Sequence, residues 1–280
     1  MPITDTDKNL RLAVLIDADN APRDCLAGIM EEVAIYGTPN TKRAYGDWSS
    51  RNLAGWKQTL LDNSVTPVQQ FAYTKGKNST DSAMIIDAMD ILYSGHADGF
   101  VLVSSDSDFT GLARRLRESG LFVIGIGEQK TPKPLIAACN KFIYIEVIRD
   151  KMQKLEQKTS QPQKKQKTAQ TSKKSQTSKK PAEAEPAKAA PSEERRIPES
   201  VIWLIADSIL DLADTGDNDY VSLGAVGQLI QKKRPDFDTR SYGFSKLSGM
   251  VKAIDRFEVV EREDKSDPRS KIVYIRDLEM

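Results

Sequence analysis

Cysteine and histidine are scarce in this chain. Its 280 residues contain two cysteines and one histidine. Cys25 and Cys139 are too few for a disulfide framework and lack the spacing of a zinc site, so we expect a reducing compartment. His96 is the one histidine, so the sequence offers few residues for a Ser-His-Asp triad or a histidine-rich metal site. Catalysis, if present, must therefore rely on carboxylates.

Long apolar runs are also missing. None approaches the roughly 20 residues that a membrane-spanning helix needs. Residues 1–8 are polar and acidic, whereas a secretory signal is basic and then apolar. We therefore expect no membrane span and a cytoplasmic protein.

Net charge is nearly absent, with 41 Lys and Arg against 40 Asp and Glu, but the charges are divided unevenly. Residues 1–150 hold 16 basic and 19 acidic side chains, residues 151–196 hold 13 and 5, and residues 197–280 hold 12 and 16. A polybasic segment between two mildly acidic ones suggests a polyanion partner. A solvated linker that repels itself and stays extended is an equally good interpretation.

The polybasic segment also divides the chain into domains. Between Lys151 and Arg196 the only large apolar residues are Met152 and Leu155. Such a composition buries too little apolar surface to offset the entropy of ordering. We predict a first domain at 1–148, a disordered basic linker at 149–197 and a second domain at 198–280.

The first domain alternates short apolar runs with helical patterns. The runs are typical of buried parallel strands, and they lie at 10–16, 41–45, 65–71, 99–103, 121–126 and 142–145. Helical patterns follow at 22–33, 53–61, 80–93, 109–118 and 134–138. This alternation predicts an α/β three-layer sandwich around a parallel sheet. In such sheets, ligands bind beyond the carboxyl ends of the strands.

Acidic side chains fall at those strand ends. Asp17 and Asn20 follow the first strand, Asp106 and Asp108 follow the strand that ends at Val103, and Asp81 opens the long helix. Clustered carboxylates repel one another unless a cation neutralises them, and Mg²⁺ or Mn²⁺ prefers such oxygen ligands. The sequence therefore predicts a divalent-metal site.

Each acid also has a structural interpretation. Asp81 is suited to the N-terminus of its helix, and Asp108 stands three residues after Ser105, at the spacing of a capping box. Asp87 lies about 120° around the helix from Asp81, so we place it, with Asp90, outside the metal site. Taken together, the positions of the acids favour the metal site.

Three motifs in this order resemble the NYN domain family, a branch of the PIN-like nucleases. They are Ile16-Asp17-x-x-Asn20, Lys77-x-x-x-Asp81, and Val103-Ser104-Ser105-Asp106-Ser107-Asp108-Phe109-x-x-Leu112, and the match runs from about Leu10 to Val147. The resemblance implies a PIN-like fold and Mg²⁺- or Mn²⁺-dependent cleavage of RNA. It also implies which residues form the catalytic metal site: the ligands Asp17, Asp81, Asp106 and Asp108, with Asn20 beside the first.

Two lysines near Asp81 are candidates for phosphate contact. Lys75 and Lys77 flank Gly76 in a basic loop, and the alternative is that they only solvate that turn.

Asp17-x-Asp19 also resembles the opening motif of haloacid dehalogenase-like phosphatases, in which the first Asp is the nucleophile. The pattern after Asn20 predicts a helix where those enzymes have a flap hairpin, so we prefer the nuclease.

The second domain has the pattern of a winged helix. Three helices are predicted at Pro198–Ala213, Ser222–Lys232 and Thr239–Ile254, followed by strands at Phe257–Arg262 and Lys271–Arg276. The stretch Phe237-x-x-Arg240-x-Tyr242-Gly243-Phe244-Ser245-Lys246-Leu247 closely resembles the LOTUS domain, also called OST-HTH. That resemblance implies binding of RNA or of a protein partner.

Three residues of the predicted third helix are candidates for RNA binding: Arg240, Tyr242 and Lys246. For Tyr242, packing in the core is the stronger interpretation on general burial tendencies.

The leading hypothesis is a metal-dependent ribonuclease to which the LOTUS-like domain and the basic linker bring RNA. The competing hypothesis is a non-catalytic RNA-binding adaptor. PIN-like domains commonly dimerise, so a homodimer is left open.

Overall fold

The larger of two sheets organises residues 10–159. The computed structural model describes residues 9–71, 79–159, 197–213, 220–263 and 271–279. Within them, six parallel strands form a sheet in the order β3-β2-β1-β4-β5-β6. The strands are β1 (Leu10–Asp17), β2 (Gly37–Gly46), β3 (Thr66–Gln69), β4 (Gly99–Val103), β5 (Phe122–Gly127) and β6 (Lys141–Tyr144).

Helices cover both faces of this sheet, as the predicted three-layer sandwich requires. They are α1 (Leu26–Val33), α2 (Trp56–Asp62), α3 (Ser79–Ser94), α4 (Thr110–Glu118), α5 (Lys133–Ala138) and α6 (Ile145–Thr159). Val14 and Ile16 point to the face that packs α1, α2 and α6, while Ala13 and Leu15 point to the face that packs α3, α4 and α5. Because both faces are buried, the strands are continuously apolar and not alternating.

The helix α6 extends beyond the end predicted for the first domain. It continues through Thr159, into the segment that we predicted as linker from residue 149. Ile145 and Ile148 are buried against the α1 face, and Met152 packs on that core. The hydrophobic contact of these side chains with α1 explains why the chain remains helical there. Residues 160–196, the rest of the predicted linker, lie outside the described residues.

Gly125 in β5 gives a stability prediction. A Cβ atom at this position would lie 2.5 Å from Cδ2 of Phe142 and 2.8 Å from Sγ of Cys139, both fully buried. We expect Gly125→Ala to lower the free energy of unfolding by about 1–3 kcal/mol through overpacking.

The matched control for that prediction is Gly111→Ala. Gly111 lies on the exposed side of α4, and nothing lies within 4 Å of its added Cβ. This substitution is expected to stabilise the protein by about 0.4–1 kcal/mol, because alanine restricts the unfolded chain. Urea denaturation of both variants measures the difference, and equal unfolding midpoints would contradict it.

A second, smaller domain follows. Its elements are α7 (Glu199–Leu210), β7 (Val221–Ser222), α8 (Leu223–Lys233), α9 (Leu247–Val251), β8 (Phe257–Glu263) and β9 (Lys271–Asp277). The strands form an antiparallel sheet in the order β7-β9-β8. Its core includes Val201 and Ile205 of α7, Val226 of α8 and Ile275 of β9. Helices with a β-hairpin wing confirm the predicted small winged-helix domain.

The predicted third helix of this domain is interrupted. Instead of one helix over Thr239–Ile254, the structure has a 3₁₀ turn at Thr239–Tyr242 and the short helix α9. Gly243 separates them with a φ of 87°, a left-handed conformation that glycine adopts without a steric penalty. The prediction of a continuous helix was therefore wrong at Gly243.

Candidate functional site

The predicted acidic residues lie at the point in the sheet where the strand order reverses. The strands β1 and β4 are neighbours, and the chain winds from β1 to β2 on one side and from β4 to β5 on the other. Asp17 is the last residue of β1, and Asp106 follows β4 by three residues. Ligands in open α/β sheets bind at such a switch point, outside the carboxyl ends of the strands.

Asp17 lies at the bottom of the site and is 1% exposed. Its Oδ2 accepts hydrogen bonds of 2.8 Å from Nδ2 of Asn20 and from Oγ of Ser104. Its Oδ1 is buried and has no hydrogen-bond partner among the described residues. Burial raises the pKa of Asp17, while the hydrogen bonds from Asn20 and Ser104 oppose that rise. A buried carboxylate oxygen without a donor is unusual, and a water molecule or a cation is the kind of group that satisfies one.

Ser104 connects Asp17 to the loop after β4. Its hydroxyl donates to Asp17 and accepts a 3.1 Å hydrogen bond from the backbone N–H of Asp106. Asp106 in turn accepts a 2.9 Å hydrogen bond from the backbone N–H of Asp108, and thereby caps the 3₁₀ turn Ser107–Phe109. The fully buried ring of Phe109 anchors this turn in the core. The loop therefore holds its two carboxylates in place.

Three carboxylates converge beside Asp17. Oxygen atoms of Asp81, Asp106 and Asp108 all lie within 4.8 Å of one another. Asp81 comes from the first turn of α3, and Asp106 and Asp108 come from the loop after β4. The pKa of Asp81 is raised to about 6, first by burial and then by the negative charges of Asp17, Asp106 and Asp108.

The donor set fits a hard divalent cation. All the candidate ligand atoms are carboxylate oxygens, which suit Mg²⁺ and Mn²⁺ better than softer metals. A cation would relieve the repulsion from Asp17, Asp106 and Asp108 that helps to raise the pKa of Asp81. Asp17 itself lies outside the group of three carboxylates whose oxygen atoms are within 4.8 Å of one another. The residues present therefore fit the metal that the sequence predicted.

The acids set aside in the sequence analysis have other surroundings. Asp87 accepts hydrogen bonds from Arg43 and from the hydroxyl of Tyr45. Asp90 is exposed on α3. Asp87 therefore belongs to a hydrogen-bonded face of the helix, as predicted.

The basic and aromatic candidates are not all brought to this site. Lys75 and Lys77 lie outside the described residues. Arg240 places its guanidinium on Glu32 and Asp238 instead of presenting it to solvent. Tyr242 is half-buried and packs its ring 6.2 Å from that of Phe237, in the core of the second domain.

Lys246 is the exposed member of this set of RNA-binding candidates, and it is the residue before α9.

The wing carries a surface that the sequence analysis did not predict. The guanidinium of Arg262 stacks between the rings of Tyr220 and Tyr274, at 4.7 and 5.3 Å, and that of Arg276 lies 4.9 Å from Tyr220. The available signal was the presence of Arg262 on β8 and of Tyr274 and Arg276 on β9. Ser104 was also missed as a bridging residue, although it lies inside a motif that was recognised.

Comparison with known families assigns both parts of the chain. The NYN domain family matches residues 11–146, and the OST-HTH/LOTUS domain family matches residues 202–268. The chain joins an NYN domain to a LOTUS domain. This confirms the resemblance drawn from the motifs and agrees with the α/β sandwich and the winged helix described above.

Two solved structures are similar to parts of the chain. A protein of unknown function from Vibrio parahaemolyticus is 19% identical, with a TM-score of 0.43, and the match covers 50% of this chain and 95% of that one. An uncharacterised protein from Nitrosomonas europaea is 31% identical, with a TM-score of 0.27, and the match covers 36% of this chain and 91% of that one. A search of curated proteins finds no match. Across the described residues, no helix has the length and apolar character needed to cross a membrane.

Proposed function

We propose that this protein is a metal-dependent ribonuclease in which the NYN domain cuts RNA and the LOTUS domain helps to bind it. The NYN family is a branch of the PIN-like nucleases, and LOTUS domains bind RNA. The observation that carries the proposal is the convergence of the carboxylates of Asp81, Asp106 and Asp108, close enough to the charge of Asp17 that it contributes to the raised pKa of Asp81. A cluster of carboxylates that repel one another is stabilised when a divalent cation binds, which is what the proposal requires.

Each residue of the site has a role in this proposal. Asp17, Asp81, Asp106 and Asp108 would hold Mg²⁺ or Mn²⁺. The bound ion would stabilise the negative charge that develops on the phosphate during phosphodiester hydrolysis. Asn20 and Ser104 both donate to Oδ2 of Asp17, which orients the carboxylate and favours its ionised form.

The backbone of the site also limits how far the carboxylates can move apart. Asp106 caps the turn that carries Asp108, and Phe109 anchors that turn in the core. Held together in this way, the acids keep their mutual repulsion in the metal-free state. Repulsion of this kind is relieved when a cation binds, so the fold favours the metal-bound form.

RNA would reach the site through the second domain and the basic linker. Both domains are net acidic, while residues 151–196 carry 13 basic and 5 acidic side chains. Two weak binding elements on one chain raise each other's effective concentration. Lys75 and Lys77 remain candidates for phosphate contact in the first domain.

A cleavage assay tests the function. Full-length protein is treated with EDTA, dialysed, and incubated with single-stranded and structured RNAs, with and without Mn²⁺ or Mg²⁺. We expect cleavage that depends on the added metal and that stops when EDTA is restored. Retention of intact RNA on a filter, without metal dependence, would support the adaptor instead. A phospho-aspartate trapped at Asp17 would support the phosphatase alternative, although the structure has a 3₁₀ turn and α1 after β1 in place of a hairpin.

Lys246 gives a prediction for RNA binding. Because its side chain is exposed next to α9, we expect Lys246→Ala to weaken binding about equally across RNA sequences and to reduce the salt slope by about 1. Lys252→Ala is the matched control, since the ammonium of Lys252 already pairs with Glu261 at 3.2 Å. Filter binding at several salt concentrations measures both. Equal effects of the two substitutions would count against Lys246 as a phosphate contact.

A further inference from the structure

The strand β6 lies at one edge of the large sheet, and that edge is not open. The backbone N–H of Phe142 in β6 donates a 3.0 Å hydrogen bond to the carbonyl of Pro235 in the second domain. The hydroxyl of Tyr144 donates to Oδ2 of Asp236 at 2.7 Å. The loop between α8 and the 3₁₀ turn Thr239–Tyr242 therefore satisfies a donor that an exposed edge strand would leave to solvent or to another chain.

A buried lysine lies in the same contact. Lys141 of β6 is 7% exposed, and its Nζ donates to Oε1 of Gln231 at 2.9 Å and to the carbonyl of Phe237 at 3.0 Å. Burial lowers the pKa of Lys141, while the charge of Asp238 opposes that change. Lysine is almost never buried without partners, and the partners here come from the second domain.

A partly buried ion pair joins the domains at a second place. The side chain of Glu32 in α1 is 2% exposed. The guanidinium of Arg240 donates to both of its oxygens, at 2.9 and 2.7 Å, across 208 residues of sequence. Arg240 also binds Asp238, and Lys151 lies 3.7 Å from Glu32. Bidentate pairs are geometrically specific, and the burial of Glu32 protects this one from the solvent screening that weakens exposed pairs.

We propose that the LOTUS domain binds in cis to a docking surface on the NYN domain, formed by Glu32, Lys141, Phe142 and Tyr144. Arg240 is the anchor of this interface and contacts the first domain, not RNA. The two domains then form one docked unit, and residues 160–196 are not the sole connection between them. This arrangement is independent of whether the NYN domain cuts RNA.

The charges make the docking specific. Glu32 and Lys141 differ in sign, and each meets a complementary group of the second domain, Arg240 for Glu32 and the acceptor oxygens of Gln231 and Phe237 for Lys141. Reversing one charge would place two like charges together in a partly desolvated contact, which costs more than the loss of an exposed pair. The interface therefore offers a sharp mutational test from either side.

Distance measurement between spin labels tests the proposal. Leu61→Cys and Ser245→Cys place labels on exposed positions of the first and second domains, and the native Cys25 and Cys139 are buried. Doubly labelled full-length protein is diluted with unlabelled protein, so that only distances within one chain are detected. We expect one narrow distance distribution for the otherwise wild-type chain.

Two charge reversals on opposite sides of the interface are then compared. Arg240→Glu and Glu32→Lys are each expected to broaden the distribution, because each puts like charges against the remaining partner. Arg11→Glu is the matched control, since Arg11 makes an equivalent bidentate pair with Asp98 inside the first domain, where both side chains are partly exposed. It should leave the distribution narrow. Circular dichroism checks that each variant is folded.

The outcomes separate the possibilities. A narrow distribution that is lost in both interface variants and kept in Arg11→Glu supports the docked unit. A distribution as broad in the wild-type chain as in Arg240→Glu overturns it. A narrow distribution that disappears on dilution with unlabelled protein also overturns it, because the contact would then join two chains.

Discussion

Asp106→Asn is expected to abolish metal-dependent RNA cleavage while leaving the fold intact. Asparagine keeps the side-chain oxygen that caps the turn Ser107–Phe109, so the loop retains its shape. The substitution removes one negative charge from the group of three carboxylates. Changing residues that merely support a metal ligand typically costs about 10- to 100-fold in activity or metal affinity. Loss of a proposed ligand should cost at least that much.

The measurement is single-turnover cleavage of a labelled RNA at saturating Mn²⁺. Asp90→Asn is the matched control, because Asp90 is an exposed aspartate on α3 outside the carboxylate cluster. Asp17→Asn is expected to reduce cleavage as well, since it removes a negative charge that acts on Asp81. Filter binding separates loss of catalysis from loss of RNA binding. Equal cleavage by wild type and Asp106→Asn would sink the proposed role of the cluster.

The sequence predicts the ends of β1 and β4 well, and the reason is physical. A strand buried on both faces is continuously apolar, so the change to Asp17 or to Asp106 marks the point where the chain leaves the sheet. The meeting of these residues depends on β1 and β4 being neighbours. That adjacency is a property of the strand order, which the apolar pattern does not contain. The residue pattern already grouped Asp81 with Asp17, Asp106 and Asp108, and the family resemblance implied the same four residues as ligands.

Contacts distant in sequence account for the features that the local pattern does not show. Local composition around Met152 favours a linker, whereas its packing on the α1 core keeps α6 helical. Arg240 was predicted as an RNA contact because it is a basic residue on the predicted third helix, and its pairing with Glu32 joins residues 208 positions apart. Propensity and periodicity describe neighbours in sequence, so neither could indicate these contacts.

Divalent metal is expected to stabilise the protein, and the effect should depend on Asp81. The pKa of Asp81 is about 6 in the folded protein, above its ordinary value of 3.8, because of burial and of the charges of Asp17, Asp106 and Asp108. A carboxyl with a raised pKa stabilises the fold fully below pH 3.8, and this contribution is lost as the pH rises through 6. The metal-free protein should therefore lose stability relative to Asp81→Asn between pH 5 and pH 7.5.

Thermal unfolding with and without Mn²⁺ tests this linkage. At a free metal concentration 100 times the dissociation constant, binding contributes about 2.7 kcal/mol to stability. Protons compete with the metal for the carboxylates, so the Mn²⁺-induced shift in Tm should be larger at pH 7.5 than at pH 5. Asp81→Asn should have the higher Tm without metal at pH 7.5, and a reduced shift with Mn²⁺, while Asp90→Asn behaves as wild type. The same Mn²⁺ shift in wild type and Asp81→Asn would mean that the ion binds elsewhere, because removing a charged ligand must weaken a site that uses it.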